Sequence, residues 1–216
     1  MNILNFKFKL PEAGQSLNTV FSDPKIYITL AIILALAALF IVVKNVKLNA
    51  KIITNIAMAV ALGTVLKMFT IMKMPMGGSV TLGSMIPIIL IAYIYGPRIG
   101  CLSGLLFGIT DLLLGAYVVH PAQLIIDYIL AFSALGVAGF FKENITIGTL
   151  AAIGLRFLCH AVSGVIFFSQ YANGQNAIVY SIMYNGTYLL PEAIISVIVL
   201  KIIPVARVKK EIAKTV

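Results

Sequence analysis

Seven apolar segments, separated by short polar turns, run through nearly the whole chain. A helix needs about 20 apolar residues to cross the hydrocarbon core of a bilayer, and several of the segments reach that length. Of the 216 residues, 61% are hydrophobic and only 11% are charged, which excludes a water-soluble domain. Because a helix pairs all of its own backbone groups inside a membrane, the sequence predicts an all-α polytopic membrane protein.

The apolar segments divide the chain into three parts. Residues 1–49 hold a polar N-terminus and a plain apolar anchor, residues 50–203 hold six further spans, and residues 204–216 form a basic tail. The predicted spans are 26–43, 52–72, 85–95, 101–114, 122–141, 146–168 and 177–203. Glycine and proline are frequent in residues 72–84, which predicts a loop that serves either as a connector or as a lid over a site.

The net charge of +9 is better explained by the positive-inside rule than by nucleic-acid binding, because lysine and arginine gather in cytoplasmic loops. Ten positive charges fall on one side of the membrane: Lys44, Lys47, Lys51, Arg98, Lys142, Lys201, Arg207, Lys209, Lys210 and Lys214. Four fall on the other side: Lys7, Lys9, Lys25 and Lys73. The richer side is predicted to be cytoplasmic, which places the C-terminus inside and the N-terminus outside.

Asp127 is an ionisable side chain in an apolar span. On insertion scales a charge at the bilayer centre costs roughly 2.5–3.5 kcal/mol, so such residues are usually functional. Gln123 lies four residues earlier, on the same helix face. Arg156, the cation best suited to pair with Asp127, is expected toward the opposite leaflet. Asp127 is therefore interpreted as half of a polar pocket.

Further polar and aromatic residues are predicted at the same depth, near the outward loops. His160, Gly164 and Phe168 share one helix face, and Tyr180 and Asn185 lie near the outer start of the last span. One anion beside aromatic rings suits a small cationic aromatic ligand. Each residue also has a structural explanation: interhelical hydrogen bonds for His160 and Asn185, packing for Phe168, and the interfacial aromatic belt for Tyr180.

Three other charged residues are left out of this predicted site. Lys67 is expected to reach the membrane interface from the outer end of its helix, Asp111 is expected in solvent near the outer surface, and Glu192 lies mid-span without an assigned partner. On the second span, Ala57 and Ala61 have a spacing of small residues that lets another helix approach closely. That pair serves either packing inside the bundle or docking of a partner.

The chain lacks the common hydrolase, zinc and Walker A motifs. Cys101 and Cys159 have neither metal-site nor disulfide-framework spacing. The sequence therefore predicts no catalytic residue, no metal site and no cofactor. Any ATP-driven transport would take its energy from another subunit.

Four stretches resemble a known family: residues 77–87 (GGSVTLGSMIP), Tyr117 with residues 121–132 (PAQLIIDYILAF), His160, and residues 180–191 (YSIMYNGTYLLP). Over roughly residues 50–203 the chain resembles the thiamine-specific substrate-binding subunits, or S components, of energy-coupling factor (ECF) vitamin transporters. The resemblance implies a six-helix bundle, to which the anchor at 26–43 adds one N-terminal transmembrane helix.

The resemblance also implies a function. The S component captures thiamine on the outer side and associates with a transmembrane coupling subunit and two cytoplasmic ATPases, with Ala57 and Ala61 as the docking surface. Ligand contacts are implied for Tyr117, Tyr128, His160, Gly164, Phe168, Tyr180 and Asn185. Asp127 stands where the family has glutamate. Phe168 stands at one place where the family stacks thiamine on tryptophan, and this chain contains no tryptophan.

Two other functions stay open from the sequence. One is an S component for a different vitamin or precursor. The other is a stand-alone secondary transporter of a small cationic compound, a class that is typified by inverted repeats and a midplane ion site. The sequence shows no internal repeat.

Overall fold

The computed structural model describes residues 24–44, 46–115 and 117–214. The predicted polar start of the chain, residues 1–23, lies outside this part. The helices of the described chain are α1 (Pro24–Val43), α2 (Ala50–Met68), α3 (Ile86–Tyr95), α4 (Pro97–Leu113), α5 (Pro121–Phe140), α6 (Ile145–Phe167), α7 (Ala177–Ile202) and α8 (Val205–Lys214). Two short strands, β1 (Thr70–Lys73) and β2 (Ser79–Thr81), follow α2.

By length and composition, α2, α5, α6 and α7 can each cross a membrane, judged over the described residues. Helices α1 and α3 contribute shorter apolar stretches, Thr29–Val43 and Ile86–Tyr95. The prediction of an all-α membrane protein is confirmed, whereas the number of crossings stays a prediction. The additional N-terminal helix is present as α1, which lies against α4 and α5.

The chain between α2 and α3 differs from the predicted loop. Helix α2 ends at Met68 instead of Met72, because the following residues form β1, which pairs antiparallel with β2. Between the strands the backbone is left-handed at Met76 (φ 61°) and Gly77 (φ 96°). Glycine adopts that conformation without steric cost. The glycine-rich composition therefore supports a hairpin.

Helices α4 and α5 both begin at a proline. Helix α4 begins at Pro97, earlier than the predicted Cys101, and Gly96 (φ 91°) reverses the chain just before it. Helix α5 begins at Pro121, after His120, whose Nδ1 accepts a hydrogen bond (3.0 Å) from the backbone N–H two residues on. Proline is favourable at the first helical position because the N–H that it lacks would be unpaired there.

Helix α5 is irregular along its length. Ile125–Leu130 form a π-helical turn, and Ala134–Phe140 form a 3₁₀ helix at the C-terminal end of α5. Single π turns inside helices are frequent at functional sites, and this one contains Asp127. The apolar pattern of the sequence predicts a helix here but not the change of helix type.

Helix α2 turns one side to the bundle and the other away from it. Ile56, Ala59 and Gly63 are buried, whereas Ala57 and Ala61 are exposed. Packing inside the bundle, one of the two explanations for the Ala57 and Ala61 spacing, is therefore wrong. Docking of a partner on this side stays a prediction.

The basic tail predicted at 204–216 contains helix α8. Val205, Val208 and Ile212 repeat on one side of this helix and are half-buried. The Nζ of Lys51, at the start of α2, donates a hydrogen bond to the carbonyl of Ile212. The tail is thus attached to the end of the bundle where α2 begins.

Candidate ligand-binding site

A cavity of about 560 Å³ lies between the hairpin and helices α2, α4, α5, α6 and α7. It is at the end of the bundle where α4 is joined to α5. All nine residues predicted as ligand contacts line it: Tyr117, Gln123, Asp127, Tyr128, His160, Gly164, Phe168, Tyr180 and Asn185. The fold thus brings the predicted residues together, and their contact with a ligand stays a prediction.

Asp127 is the centre of a buried hydrogen-bond network. Its Oδ2 accepts hydrogen bonds from Gln123 Nε2 (2.7 Å) and Ser163 Oγ (2.8 Å), and its Oδ1 lies 2.9 Å from His160 Nδ1. Because an ionised carboxylate only accepts, His160 donates through Nδ1. Three donors offset the cost of burying the carboxylate and hold it in one orientation. The Nε2 of His160 has no partner among the described residues.

Gln123 and Tyr128 also hold the segment before α5. Gln123 accepts a hydrogen bond from Val119 N–H (3.2 Å) and donates to the Tyr117 carbonyl (3.2 Å). The Tyr128 hydroxyl accepts from Tyr117 N–H (3.1 Å). Two predicted ligand residues therefore position a third. The hydrogen bond between the Tyr117 and Tyr171 hydroxyls (3.5 Å) raises the pKa of Tyr117.

Aromatic rings surround the mouth of the cavity. The Phe168 ring centroid lies 6.2 Å from that of Tyr117 and 6.2 Å from that of Tyr171. On α7, Tyr180 and Tyr184 stack with their centroids 6.1 Å apart. Rings at these distances interact with one another and leave faces on which an aromatic ligand can stack.

Asn185 and Gly164 join α6 to α7 in the wall of the cavity. Asn185 Nδ2 donates to the carbonyls of Ser181 (2.9 Å) and His160 (3.3 Å), and its Oδ1 accepts from the Tyr188 hydroxyl (2.6 Å). A Cβ on Gly164 would overlap Ser181 Oγ. The interhelical hydrogen bond expected as the structural explanation for Asn185 is therefore present, at the edge of the cavity.

Lys67 and Asp111 form an ion pair in the cavity wall. The prediction that Asp111 lies in solvent was wrong, because Asp111 is only 6% exposed. The position of Lys67 at the membrane interface stays a prediction. A buried carboxylate needs a compensating partner, and α2 supplies one across the bundle. The two residues are 44 positions apart, so no local pattern shows the pairing.

Arg156 lines the same cavity as Asp127, and its predicted place toward the opposite leaflet was wrong. Its guanidinium carbon lies 3.8 Å from the centroid of the Phe132 ring, a cation–π contact. Its Nε and Nη1 have no partner within the described chain. A signal was available in the sequence, because Arg156 precedes His160 by four residues and so shares its helix face.

Glu192 and Tyr184 hold the hairpin against α7. Glu192 Oε1 accepts hydrogen bonds from the backbone N–H and the hydroxyl (2.5 Å) of Thr81. The Tyr184 hydroxyl donates to the Pro75 carbonyl and accepts from Gly78 N–H (3.3 Å). The hairpin therefore forms one wall of the cavity. Glu192, which the sequence left without a partner, is the residue that fixes β2.

The charges held inside the cavity do not cancel. Three carboxylates and two cations lie in its walls: Asp111, Asp127, Glu192, Lys67 and Arg156. With His160 counted as neutral, the formal charges of these five side chains sum to one negative charge. Lys73 also borders the cavity, but it is exposed on β1, where solvent and salt screen its charge. One uncompensated negative charge among aromatic walls suits a monocation with an aromatic ring.

The fold and the cavity define a class: an all-α membrane protein with an internal site for a small molecule. No cluster of potential metal ligands occurs among the residues that the structure describes. The family model described as Thiamine transporter protein matches residues 53–212, and the chain belongs to this family. It is a family of transporters and not of enzymes. The match begins inside α2, so α1 lies outside it.

Individual relatives agree with the family. The thiamine transporter ThiT of Bacillus subtilis (strain 168) is 38% identical over 162 residues, covering 67% of this chain and 83% of the relative. ThiT of Lacticaseibacillus paracasei is 28% identical over 144 residues, covering 55% and 70%. The solved structure of ThiT from Listeria monocytogenes aligns with a TM-score of 0.64 at 30% identity, covering 70% of this chain and 91% of that one. The family predicted from the motifs is confirmed.

Proposed function

We propose that this protein captures thiamine at the membrane for uptake into the cell. Membership of the thiamine transporter family supports this function. The observation that carries it is the buried Asp127 carboxylate, which lies beside aromatic rings in a cavity whose lining, apart from the exposed Lys73, carries a formal charge of minus one. Thiamine is a monocation that joins an aminopyrimidine to a thiazolium ring, and a carboxylate among aromatic walls matches both features.

Five residues of the site contact the ligand directly in this proposal. Asp127 is the counter-ion of the thiazolium ring. His160 Nε2, which has no partner among the residues that the structure describes, accepts a hydrogen bond from the amino group of the pyrimidine. Tyr117, Phe168 and Tyr180 stack on the two rings. The remaining predicted contacts complete the walls and orient these five: Gln123, Tyr128, Gly164 and Asn185.

The positive-inside rule supports an outward-facing cavity. The cavity lies at the end of the bundle opposite Lys44, Lys51 and Lys142, which belong to the lysine- and arginine-rich side. In the proposed orientation the C-terminus is cytoplasmic, the N-terminus is outside, and the vitamin enters from the outer side.

The resemblance to S components adds partners to the proposal. A transmembrane coupling subunit would bind the side of α2 that exposes Ala57 and Ala61, and two cytoplasmic ATPases would supply the energy. The exposure of both alanines on a membrane-length helix supports this docking surface. In this scheme only the partners use ATP, and the capture subunit needs no cofactor.

Calorimetric titration of the purified full chain with thiamine tests the function. We expect a Kd below about 1 µM. Asp127→Asn should weaken binding at least about 100-fold, or about 2.7 kcal/mol, because it removes the counter-ion from a desolvated charge pair. Glu143→Gln is the matched control, since Glu143 is an exposed carboxylate between α5 and α6 and should leave the affinity unchanged.

Two results would contradict the proposal in different ways. If the chain binds riboflavin, biotin or a pyrimidine precursor but not thiamine, the capture role survives with another ligand. If Asp127→Asn binds thiamine as tightly as the wild type, Asp127 is not the counter-ion.

A further inference from the structure

Helices α4 and α5 approach each other closely enough for their backbones to touch. Gly104 and Gly108 on α4 are four residues apart, so both face α5. A Cβ on Gly104 would lie 2.9 Å from the carbonyl carbon of Phe132, and a Cβ on Gly108 would overlap the carbonyl oxygen of Tyr128. Because real Cβ atoms essentially never come within 3.0 Å of such atoms, any side chain at either position forces the helices apart.

The outer of these two contacts falls on the π-helical turn of α5. Tyr128 belongs to Ile125–Leu130, as does Asp127. The i to i+5 hydrogen bonds of a π turn make it wider than an α-helical turn. The wider turn needs room on the side of α4, and Gly108 leaves that room.

The same turn positions the polar groups of the cavity. Asp127 reaches from it to His160 and Ser163 on α6, and the Tyr128 hydroxyl holds the backbone of Tyr117. If the turn moves away from α4, the carboxylate moves relative to its donors. A binding group has to stay within about 0.5 Å of its productive position, and an overlap with backbone atoms in a close-packed interface cannot be absorbed without a shift of that order.

We propose that Gly108 is a positioning residue for ligand binding: the missing side chain at 108 sets where the π turn, and with it the Asp127 carboxylate, lies in the cavity. Gly108 is buried and does not line the cavity, so it acts through Asp127 and not by touching the ligand. The role in binding rests on the proposed function, in which Asp127 is the counter-ion of a cation.

Gly136 offers a matched comparison in the same helix pair. A Cβ on Gly136 would overlap the backbone N of Cys101 and lie 2.6 Å from its Cα. Gly136 is buried near the inner end of α5 and does not line the cavity. Alanine at 136 therefore strains the same interface without acting on the π turn. Gly154 on α6 has nothing within 4 Å of a Cβ, and alanine there controls for loss of a glycine alone.

The first test measures affinity for two probes, thiamine and its uncharged fragment 4-amino-5-hydroxymethyl-2-methylpyrimidine. For Gly108→Ala we expect thiamine affinity to fall about 30-fold or more, because moving a binding group by about 1 Å is costly. The affinity for the uncharged fragment should fall much less. Gly136→Ala should lower Tm about as much as Gly108→Ala does, but it should keep the preference for thiamine over the fragment. Gly154→Ala should change neither Tm nor this preference. Because both changes act on one interaction, Gly108→Ala added to Asp127→Asn should reduce the cation preference no further.

The second test needs no ligand. The chain has two histidines, His120 and His160, so ¹⁵N NMR of labelled imidazoles reports directly on the contact between His160 and Asp127. We expect the His160 Nδ1 resonance to shift in Gly108→Ala and to stay in place in Gly136→Ala. If Gly108→Ala does not accumulate, Gly104→Ala, which presses on Phe132 just past the π turn, should give a smaller shift in the same direction.

The outcomes separate the two proposals. A wild-type chain that fails to bind thiamine overturns the proposed function, and the NMR comparison still decides the role of Gly108. A His160 resonance that stays in place in both Gly108→Ala and Gly104→Ala overturns the positioning role. An equal loss of cation preference in Gly136→Ala also overturns it, because the effect would then belong to the whole helix interface.

Discussion

The half of the bundle that holds the cavity is outer in the proposed orientation, and the opposite half is inner. These outer and inner halves use the same helices for opposite purposes. In the outer half, α2, α4, α5, α6 and α7 turn charged and aromatic side chains toward a cavity. In the inner half, Leu135 on α5, Ala152 on α6 and Leu200 on α7 are completely buried. Full burial of a large apolar side chain stabilises a fold by about 1.5–3 kcal/mol, whereas a buried charge has to be compensated. The inner half therefore supplies stability, and the outer half holds the binding groups.

The interface between α4 and α5 crosses both halves and makes the contrast sharper. Gly136 meets Cys101 at the inner end, and Gly108 meets Tyr128 at the outer end, each at backbone contact. The packing device is the same, but only the outer contact supports a turn with an ionisable side chain. The comparison shows that the functional effect of close helix packing depends on which side chains the packed turn contains.

The largest expected effect separates binding from uptake. Replacing Ala57 and Ala61 together by leucine should abolish thiamine uptake in cells that carry an energy-coupling module and leave binding by the purified chain unchanged. The physical reason is that bulky residues prevent close approach of a partner helix, while Ala57 and Ala61 are exposed and do not line the cavity. Uptake of labelled thiamine and calorimetry measure the two properties. The control is Ala38→Leu, at an exposed position of α1. Undiminished uptake in the double variant would contradict the proposal that Ala57 and Ala61 form the docking surface.

The next prediction tests whether the inner half contributes to the stability of the fold and not to ligand affinity. Leu135→Ala should destabilise the fold by about 2–5 kcal/mol, because it leaves a cavity at a fully buried position. Thermal unfolding should show the loss, and thiamine affinity measured well below the lowered Tm should stay within about twofold, as expected for distant independent sites. A parallel fall of affinity and stability would show that the two halves are coupled.

The smallest expected effect concerns the ion pair of the outer half. Lys67→Met leaves Asp111 buried without its partner, and because the Lys67 side chain is 34% exposed, we expect a loss of about 1–3 kcal/mol, below that for fully buried pairs. Adding Asp111→Leu should recover most of the loss, because well-packed apolar residues can replace a buried pair. Chemical or thermal unfolding of both variants measures this. A double variant as unstable as Lys67→Met alone would mean that the pair is not compensating a buried charge.

Local patterns in the sequence determined the class of protein and much of the cavity lining. Apolar length and the clustering of lysine and arginine are properties of single segments, so they predict membrane helices without any tertiary contact. The four-residue spacing of Gln123 and Asp127 places both on one face of one helix. Aligned by depth, these faces predicted part of the cavity lining, and the family resemblance added Tyr117.

Only the tertiary structure decided how the remaining charges are paired. Lys67 meets Asp111 across 44 positions, and Thr81 meets Glu192 across 111. Such partners are chosen by the depth and rotation of whole helices, which depend on packing between distant segments. The π turn at Asp127 has the same origin, because its wider backbone is compatible with α4 only where Gly108 faces it. A helix type and a buried ion pair are therefore properties of the packed bundle, and no single segment of the sequence encodes them.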